Sequence, residues 1–488
     1  MIQFENVSYT YENAISGTAI THVHALIPKG QIVLLCGESG SGKTTFGRIV
    51  NGLIPSYYEG RLDGTALVEG WDIQEVELYK LAPYVGSVFQ NPKSQFYTLQ
   101  TDTEIIFACE NIGMNKADIL ARFDTTVASL GIENLLGKSL FALSGGEKQK
   151  IACACVGALV PDIFVLDEPS SNLDIRTIQD LRTILLSWKA QGKTIVIAEH
   201  RLGWLRGIVD RVLFFQAGRI AQDLKAERFW ERSVTELHDM GLRAPVAFAP
   251  TCTLKRAEPE NVEFYGFQCA FKKIKVLDVS RLRIPKGAIV AVLGNNGAGK
   301  TTFARTLCGL VKNSEGTLYY NGRTYNNKQR IRLCYMVMQD VNHQLFSESV
   351  MDEVLLGLDI LSENRQATAE SILSELDLLD YKEVHPMSLS GGQRQRVAIA
   401  GAIASHKEII VFDEPTSGLD YRHMKEVANS IYKLAEMGKT QFIITHDPEL
   451  VAACCDYFIF MDGGKVVRSG SWNEKTQQYV SEYFCIQR

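Results

Sequence analysis

The sequence predicts an α/β protein in which one fold occurs twice. Four short motifs from the first half of the chain recur in the second half in the same order. Several of these motifs end short apolar runs that read as buried strands. A strand that is apolar throughout buries both faces and is expected in a parallel sheet between helices. The 488 residues are enough for two such units.

The motif pairs define the repeat. They are GESGSGKTT (37–45) and GNNGAGKTT (294–302), LSGGEKQK (143–150) and LSGGQRQR (389–396), VLDEPSSNLD (165–174) and VFDEPTSGLD (411–420), and VIAEH (196–200) and FIITH (442–446). The first pair is 257 positions apart and the other three are 246 apart, so the first half carries 11 extra residues. This pattern indicates a fused duplication with an insertion, not a fibrous repeat.

Domain boundaries follow from this repeat. We predict a first domain at 1–243, a linker at 244–260 and a second domain at 261–488. The segment RVLFFQAGRI (211–220) alternates around a Gly and predicts a hairpin. The segment 224–241 has helical spacing and a terminal Gly, which predicts a helix. The segment that follows contains three Pro and no periodicity, as expected of a linker.

Composition excludes several classes of protein. The net charge of −5 argues against a nucleic-acid partner, because proteins that neutralise phosphates are usually basic. The N-terminus lacks the pattern of a signal peptide, and no apolar run approaches the ~18 residues that span a bilayer. The 11 cysteines show no C-x-x-C spacing and are expected to be reduced core residues. Any role at a membrane would therefore depend on partners.

The first motif pair predicts phosphate binding. The pattern G-x-x-x-x-G-K-[ST] follows an apolar strand in both halves. Glycine lets backbone N–H groups face phosphate oxygens, Lys reaches the β and γ phosphates of ATP, and Thr supplies a hydroxyl to Mg²⁺. The predicted ATP-binding residues are Gly37, Ser39, Gly40, Gly42, Lys43, Thr44 and Thr45 in the first half, and Gly294, Asn296, Gly297, Gly299, Lys300, Thr301 and Thr302 in the second. Thr44 and Thr301 are also predicted Mg²⁺ ligands.

The acidic motif pair predicts the rest of a hydrolytic site. Each strand ends in Asp-Glu-Pro, and the carboxyl ends of parallel strands are where α/β sheets bind ligands. We expect Asp167 and Asp413 to hold Mg²⁺, and Glu168 and Glu414 to polarise the attacking water. A solvated acidic turn is the alternative, and the following Pro and the uncharged strand argue against it.

The segments LSGGEKQK and LSGGQRQR resemble the signature of the ATP-binding-cassette (ABC) ATPases, and the other motifs occur twice in this family's order. The resemblance implies two fused P-loop ABC nucleotide-binding domains, each with a RecA-like core, an antiparallel β-subdomain and a helical subdomain. In the family, the signature of one cassette completes the ATP site of the other. The implied residues are Ser144, Gly145, Gly146, Ser390, Gly391 and Gly392. Fusion favours pairing of the cassettes within one chain.

The same resemblance assigns four more polar residues. His200 and His446 resemble the family's γ-phosphate-sensing histidine. Gln90 and Gln339 resemble the glutamine that contacts Mg²⁺ and the lytic water. Every motif is intact in both halves, so both sites are expected to be competent.

Family members also stack an aromatic side chain on the adenine ring. Tyr11 fits this place in the first half, and Phe271 is the better candidate in the second. Tyr9 and Phe267 are the nearby aromatic residues that could instead be core residues. Stacking tolerates either ring type.

The segment QNPKSQF (90–96) resembles the ATPases of energy-coupling factor (ECF) importers, whereas QDVNHQLF (339–346) has lost Asn-Pro. This resemblance implies an integral membrane scaffold subunit, a small substrate-binding membrane subunit, and uptake of a vitamin or metal ion. It implies a location at the cytoplasmic face of the cell membrane, held there by those subunits. Gln95 and Phe96 are expected to face the partner, unless Gln95 and Gln344 serve the loop backbone. The alternatives are another two-cassette importer, of sugar or another solute, and a soluble non-transport ATPase.

Overall fold

A computed structural model describes residues 1–12, 17–171, 173–244, 248–250, 260–271, 274–358 and 364–484. It contains two compact units, one of Met1–Pro245 with Asp420–Arg422 and one of Val246–Leu419 with His423–Arg488. The predicted linker at 244–260 lies largely outside the described residues. No helix within the described ranges is both long and apolar enough to cross a membrane.

The first unit begins with a strand and ends with two short helices. Its elements are β1 (Ile2–Tyr11), β2 (Ile20–Ile27), β3 (Ile32–Gly37), α1 (Lys43–Val50), α2 (Leu53–Ser56), β4 (Gly60–Val68), β5 (Trp71–Asp72), α3 (Leu78–Leu81), β6 (Val85–Val88), α4 (Thr101–Asn111), α5 (Lys116–Leu130), α6 (Gly145–Ala158), β7 (Ile163–Asp167), α7 (Ile175–Ala190), β8 (Thr194–Ala198), β9 (Arg211–Gln216), β10 (Arg219–Lys225), α8 (Ala226–Trp230) and α9 (Val234–Asp239).

The second unit repeats this order with small changes. Its elements are β11 (Asn261–Phe271), β12 (Ile274–Pro285), β13 (Ile289–Leu293), α10 (Lys300–Leu307), β14 (Ser314–Tyr320), β15 (Arg323–Tyr325), α11 (Asn327–Leu333), β16 (Cys334–Val337), α12 (Val350–Gly357), α13 (Arg365–Glu375), α14 (Gly391–Ala404), β17 (Ile409–Asp413), α15 (Tyr421–Glu436), β18 (Thr440–Ile444), α16 (Pro448–Cys454), β19 (Tyr457–Asp462), β20 (Lys465–Ser471) and α17 (Glu474–Tyr483).

A six-stranded sheet forms the core of each unit. The order is β10-β9-β3-β8-β7-β6 in the first and β20-β19-β13-β18-β17-β16 in the second. Neighbouring strands are parallel except for the hairpins β9–β10 and β19–β20. Strands β3 and β8 are buried along their whole length, because helices cover both faces. The carboxyl ends of β3, β8 and β7 therefore lie side by side, where the phosphate-binding, histidine and acidic motifs begin.

A second, antiparallel sheet covers the phosphate-binding helix. Its order is β2-β1-β4-β5 in the first unit and β12-β11-β14-β15 in the second. Alternate side chains of β1 are buried, as expected of a strand with one face on a core. Phe4 on this strand packs against Phe46 on α1, with 4.5 Å between ring centroids. This contact joins the antiparallel sheet to the first turn after Lys43.

Helices α4, α5 and α6 form a separate layer with its own apolar core. Ile105, Ile119, Val127 and Ile151 are among the buried residues of that core. Helix α6 begins immediately after Ser144, whose hydroxyl accepts a hydrogen bond from the Glu147 backbone while the Glu147 carboxylate accepts one from the Ser144 backbone. The reciprocal cap explains why the signature motif starts a helix.

The predicted fold class is confirmed: each unit has an α/β core, an antiparallel sheet and a helical layer. The hairpin predicted at 211–220 is confirmed as β9 and β10. The single helix predicted at 224–241 is wrong, because two short helices, α8 and α9, occupy this segment. Ser233 caps α9 by the same reciprocal bonds with Glu236, and this cap interrupts the helical pattern.

Candidate active site

The phosphate-binding loop of the first unit folds around its own lysine. Lys43 Nζ donates hydrogen bonds to the carbonyl oxygens of Gly37, at 2.9 Å, and Glu38, at 2.8 Å. Burial lowers the pKa of Lys43, because its charge is removed from water. Gly42, which precedes α1, has a φ of 106°, a conformation that a side chain would strain. The loop therefore presents the N-terminus of α1 and a buried cation to one small volume.

The second unit repeats this arrangement. Lys300 Nζ donates to the carbonyl oxygen of Gly294 at 2.7 Å and to that of Asn295 at 3.1 Å. Gly299 takes the same left-handed conformation, with a φ of 95°. Both predicted phosphate-binding loops thus have the backbone geometry that their sequences require.

A hydroxyl and a carboxylate lie together beside each loop. Thr44 Oγ1 donates to Asp167 Oδ1 at 3.2 Å. Burial, and then the negative charge of Glu168, raises the pKa of Asp167 to about 6. Burial likewise raises the pKa of Asp413, and a hydrogen bond from Thr301 opposes that rise. These carboxylates are poorly solvated, so a cation beside them would be stabilised.

In the first unit, two predicted catalytic residues, Gln90 and His200, lie beside a third, Glu168. Gln90 Nε2 donates to Glu168 Oε2 at 2.7 Å, and His200 Nε2 lies 3.4 Å from Glu168 Oε1. In the second unit His446 Nε2 lies 3.7 Å from Glu414 Oε1. Gln339 follows β16 at the same interval by which Gln90 follows β6.

The two glutamates also share an unusual backbone. Glu168 has a φ of 44° and Glu414 a φ of 51°, which is the left-handed region that non-glycine residues rarely adopt. Strain of this kind persists only where the surroundings enforce it, and it is concentrated at functional sites. The motif did not predict this feature, which fixes the direction of each carboxylate.

A buried carboxylate that the sequence analysis did not single out supports the first site. Glu199 accepts hydrogen bonds from the Ser170 hydroxyl, at 2.6 Å, and from the backbone N–H groups of His200, at 2.8 Å, and Arg201, at 3.0 Å. Burial raises the pKa of Glu199. In the second unit Asp447 takes this role, accepting from the Thr416 hydroxyl at 2.6 Å. The sequence indicated this carboxylate only through one difference between the motifs, since VIAEH has Glu199 where FIITH has Thr445.

The aromatic candidates for adenine stacking differ between units. The Tyr11 hydroxyl lies 3.2 Å from Thr45 Oγ1 and accepts a hydrogen bond from Arg48 at 3.0 Å. Phe271 is 52% exposed. Their alternatives, Tyr9 and Phe267, are fully buried core residues. Tyr11 and Phe271 therefore stay the predicted stacking residues.

Close packing explains the second glycine of each signature. A Cβ on Gly146 would lie 2.5 Å from the Thr177 hydroxyl on α7, and one on Gly392 would lie 2.7 Å from the His423 ring on α15. A Cβ built on Gly145 or Gly391 would meet no atom within 4 Å in the described part of the chain, apart from its chain neighbours and the backbone of its own helix. The first glycine of each pair thus leaves the helix N-terminus open. The contribution of these residues to the opposite ATP site stays a prediction.

The second glutamine of each loop does not face outward, so that expectation is wrong. Gln95 Nε2 donates to the Ser87 carbonyl at 2.8 Å, and its Oε1 accepts from the Phe89 N–H at 3.4 Å. Gln344 Nε2 donates to the Met336 carbonyl of β16 at 3.1 Å, and its Oε1 accepts from the Met338 N–H at 3.0 Å. Both side chains satisfy backbone groups, which was the alternative.

The expectation that Phe96 faces outward is also wrong. Phe96 packs against the apolar core of the helical layer. Tyr97 instead points outward and is 79% exposed, as is Phe346 at the matching position of the second unit. In the first loop the outward-facing residue is thus Tyr97, one position after the predicted Phe96.

The fold and these two sites define a P-loop ATPase with two nucleotide-binding cassettes. The sequence model of the ABC transporter family matches residues 20–171 and 277–417, and the chain belongs to this family. The family implies ATP binding, generally with Mg²⁺, and ATP hydrolysis.

Two curated relatives match almost the whole chain. Each is named "Putative ABC transporter ATP-binding protein". The one from Treponema denticola is 43% identical over 98% of both chains, and the one from Methanosarcina mazei is 32% identical over 96% of this chain and 89% of its own. Neither name mentions an energy-coupling factor importer, so that finer assignment stays a proposal.

Two solved structures share the tandem fold. One, described as a model of ribosome-bound archaeal Pelota and ABCE1, has a TM-score of 0.69 and 22% identity, covering 98% of this chain and 80% of that chain. The other, RNase-L inhibitor, has a TM-score of 0.65 and 20% identity, covering 98% and 93%. At these identities the likeness concerns the fold alone.

The residues of each site fit ATP with Mg²⁺. Hydroxyl and carboxylate oxygens, the ligands that Mg²⁺ prefers, are paired at Thr44 and Asp167. The described ranges contain no cluster of three or more His, Cys, Asp or Glu suited to a metal. Thr44 and Asp167 would hold Mg²⁺ together with phosphate oxygens of ATP, as is usual for this ion.

Proposed function

We propose that this chain is the ATP-hydrolysing subunit of an ECF-type membrane importer for a small micronutrient, a vitamin or a metal ion. The proposal rests on one observation above all. In each cassette, the loop that starts at the catalytic glutamine holds an aromatic side chain out into solvent. Such a loop can connect the ATP site to a partner.

Both loops are fixed from two sides, so the exposed ring has a defined place. Gln95 binds the strand before the loop, as described above. The buried Glu104 on α4 accepts hydrogen bonds from the Tyr97 and Thr98 N–H groups, at 3.1 and 2.6 Å. Glu353 on α12 holds Phe346 and Ser347 in the same way, at 2.9 Å each. The two loops are thus built alike although their sequences differ.

Apolar side chains of the neighbouring helices α4 and α12 extend the surface formed by the exposed rings. Tyr97 stacks on Phe107 of α4, with 5.4 Å between ring centroids. Leu356, at the place on α12 that matches Phe107, is 69% exposed. Exposed aromatic and aliphatic groups at fixed places are typical anchors for a partner. A membrane subunit that presents an apolar helix would cover them.

The proposed cycle uses both cassettes. ATP bound at Lys43 would be covered by Ser390 and Gly392, and ATP bound at Lys300 by Ser144 and Gly146. Hydrolysis by Glu168 and the matching glutamate would reopen the pair. Support comes from the two complete motif sets on one chain, which favours intramolecular pairing. Movement of Gln90 would reach Tyr97 through the six residues between them.

Copurification tests this function. The tagged full-length chain, isolated from detergent-solubilised membranes of its own cells, should carry integral membrane subunits, and those subunits should stimulate its ATPase activity after reconstitution. The Tyr97→Ser, Phe346→Ser double variant should lose the subunits while keeping its basal ATPase activity. Tyr57→Ser, which alters another exposed tyrosine of the first cassette, is the matched control.

Two outcomes would contradict the importer. One is copurification with ribosomes in place of membrane proteins, which would favour the soluble alternative. The other is a double variant that retains its membrane subunits as fully as Tyr57→Ser does. Retention of a scaffold and a small substrate-binding subunit, with a vitamin or metal ion bound to the latter, would support the ECF type over another importer.

A further inference from the structure

The segment that leads from α1 into β4 is longer in the first cassette than the matching segment of the second. It spans 12 positions from Gly52 to Gly64, whereas the corresponding glycines, Gly309 and Gly316, are seven positions apart. The longer segment contacts Tyr11, the predicted adenine-stacking residue of the first cassette, through both its backbone and a side chain.

The backbone contact arises because β4 reaches the end of β1. Arg61 pairs with Thr10, and Gly60 pairs with Tyr11. Glycine permits this approach, because a Cβ on Gly60 would lie 2.3 Å from the Thr10 carbonyl oxygen. The backbone of Tyr11 is thus held by a strand that the longer segment supplies.

Two side chains of the first cassette hold the Tyr11 ring. Tyr58, from the longer segment, packs edge-on against it, with 6.1 Å between ring centroids. The Arg48 guanidinium lies 4.1 Å from the centroid of the Tyr58 ring and donates a hydrogen bond to the Tyr11 hydroxyl at 3.0 Å. Tyr58 is itself held, because its carbonyl oxygen accepts a hydrogen bond from the Tyr9 hydroxyl at 2.9 Å. Backbone pairing, ring packing and a hydrogen bond thus restrain Tyr11 together.

In the described part of the second cassette, fewer contacts hold the matching aromatic residue. Strand β14 begins at Ser314, and its pairing with β11 ends two positions before Phe271. Phe271 has no hydroxyl that could accept a hydrogen bond from Arg305, which occupies the place of Arg48. Phe271 is 52% exposed, whereas Tyr11 is partly buried. The two aromatic residues therefore differ in how firmly they are fixed.

The place of Tyr11 suits a platform for the base of a bound nucleotide. Its hydroxyl lies 3.2 Å from Oγ1 of Thr45, which is in the first turn of α1 beside the predicted phosphate site. A nucleotide whose phosphates occupy that loop would have its base within reach of the Tyr11 ring. Fixing a side chain before the ligand binds removes the entropy cost of ordering it on binding.

We propose that Tyr58 is a positioning residue that preorganises Tyr11 for stacking on the nucleotide base. Base stacking then contributes more to nucleotide affinity in the first cassette than in the second. The proposal rests on ATP binding with its base at Tyr11, and not on the identity of any membrane partner. Tyr58 acts through Tyr11, so its effect on binding should require the Tyr11 ring.

Calorimetry of nucleotide binding with Mg²⁺ tests this role. The full-length chain carries Lys300→Ala, so that the first site dominates binding. Tyr58→Leu should weaken the binding of ADP about two- to tenfold, the usual strength of one aromatic pair. The affinity for UDP, whose smaller base stacks less, should fall by a smaller factor. A merely structural role would weaken ADP and UDP binding alike.

Three controls make the result specific. Tyr58→Phe keeps the ring and should keep the ADP affinity, and Tyr79→Leu alters an exposed tyrosine elsewhere in the first cassette and should have no effect. In a Tyr11→Leu background, Tyr58→Leu should have no further effect, because the two residues act together. In a Lys43→Ala chain with Lys300 intact, the second site dominates, and Tyr58→Leu should leave the ADP affinity unchanged.

Gly60→Ala disturbs Tyr11 by a second route that leaves the Tyr58 side chain intact. The added methyl group would overlap the Thr10 carbonyl oxygen and separate β4 from the end of β1. ADP binding at the first site should therefore weaken in this variant too, and an unchanged ADP affinity would contradict the role of the longer segment.

Three results with Tyr58→Leu would overturn the proposal. They are equal loss of ADP and UDP affinity, unchanged or tighter ADP binding, and a full effect in the Tyr11→Leu background. A Lys300→Ala parent that binds no nucleotide would contradict ATP binding at the first site. A Tyr11→Leu variant that binds ADP as its parent does would contradict base stacking there. These last two failures are distinguishable, because they appear before any change at Tyr58.

Discussion

The two cassettes carry the same catalytic motifs but support their histidines differently. In the first, Glu199 precedes His200 and accepts hydrogen bonds from its N–H and from Ser170. In the second, Asp447 follows His446 and binds the hydroxyl of Thr416, and Tyr483 contacts the ring. The predicted catalytic residues are therefore of the same types in both cassettes, whereas the residues that support the histidines differ. The two sites should respond differently to changes in these supporting residues.

Removing both predicted bases should have the largest effect. The Glu168→Gln, Glu414→Gln double variant should lose about 10²- to 10⁴-fold in steady-state ATP turnover, the usual contribution of a general base. Each single variant measures the share of one cassette, because the other base is intact. Turnover of the double variant at the normal rate would show that these carboxylates are not the bases.

A smaller effect, on the free energy of unfolding, is expected from adding a methyl group to the second glycine of each signature helix. Gly146→Ala and Gly392→Ala should each lower the free energy of unfolding by about 1–3 kcal/mol, because the added Cβ would overlap Thr177 or His423. Gly145→Ala and Gly391→Ala are the matched controls, since they add a methyl group to open space. Urea unfolding without nucleotide measures all four. Equal losses at both glycines of a pair would contradict the packing explanation.

The smallest effect should be the pH dependence of stability that Glu199 contributes in the first cassette. Burial raises the pKa of Glu199 above its ordinary 4.5, so the folded chain binds this proton more tightly than the unfolded chain does. The stability that Glu199 contributes is thus complete below about 4.5 and decreases as pH rises through the raised pKa. The difference in unfolding free energy between the natural chain and Glu199→Gln should decrease with rising pH.

A second glutamate provides the opposite sign as a control. Hydrogen bonds from Ser233 lower the pKa of the exposed Glu236, so its contribution is present above its ordinary pKa and is lost as pH falls. The difference between the natural chain and Glu236→Gln should therefore increase with rising pH. Slopes of the same sign for both variants would show that burial does not govern Glu199.

Motif order in the sequence predicted most of the fold and of each site. The phosphate-binding lysines, the Asp-Glu pairs and the histidines follow strands whose carboxyl ends are neighbours in the sheet, so local pattern and topology agree. Gln90 was also predicted, and it meets Glu168 although 78 positions separate them. Gln90 follows β6 and Glu168 follows β7, and these strands are neighbours in the sheet, so the contact between the two residues follows from the strand order.

Features that depend on side-chain direction or distant packing were not predictable. Phe96 and Tyr97 are adjacent aromatic residues, and only the packing of the helical layer decides which of them faces solvent. Tyr483 contacts a carbonyl 189 positions away, with no motif around it. The left-handed backbone of Glu168 is likewise imposed by its surroundings.

The number of nucleotides bound per chain tests the central claim most directly. Both cassettes carry the complete set of motifs, so the Glu168→Gln, Glu414→Gln variant should retain two ATP molecules per chain in the presence of Mg²⁺. Equilibrium binding of radiolabelled ATP to the full-length protein measures this number. Two per chain would support two competent sites, and a saturating value of one would contradict them.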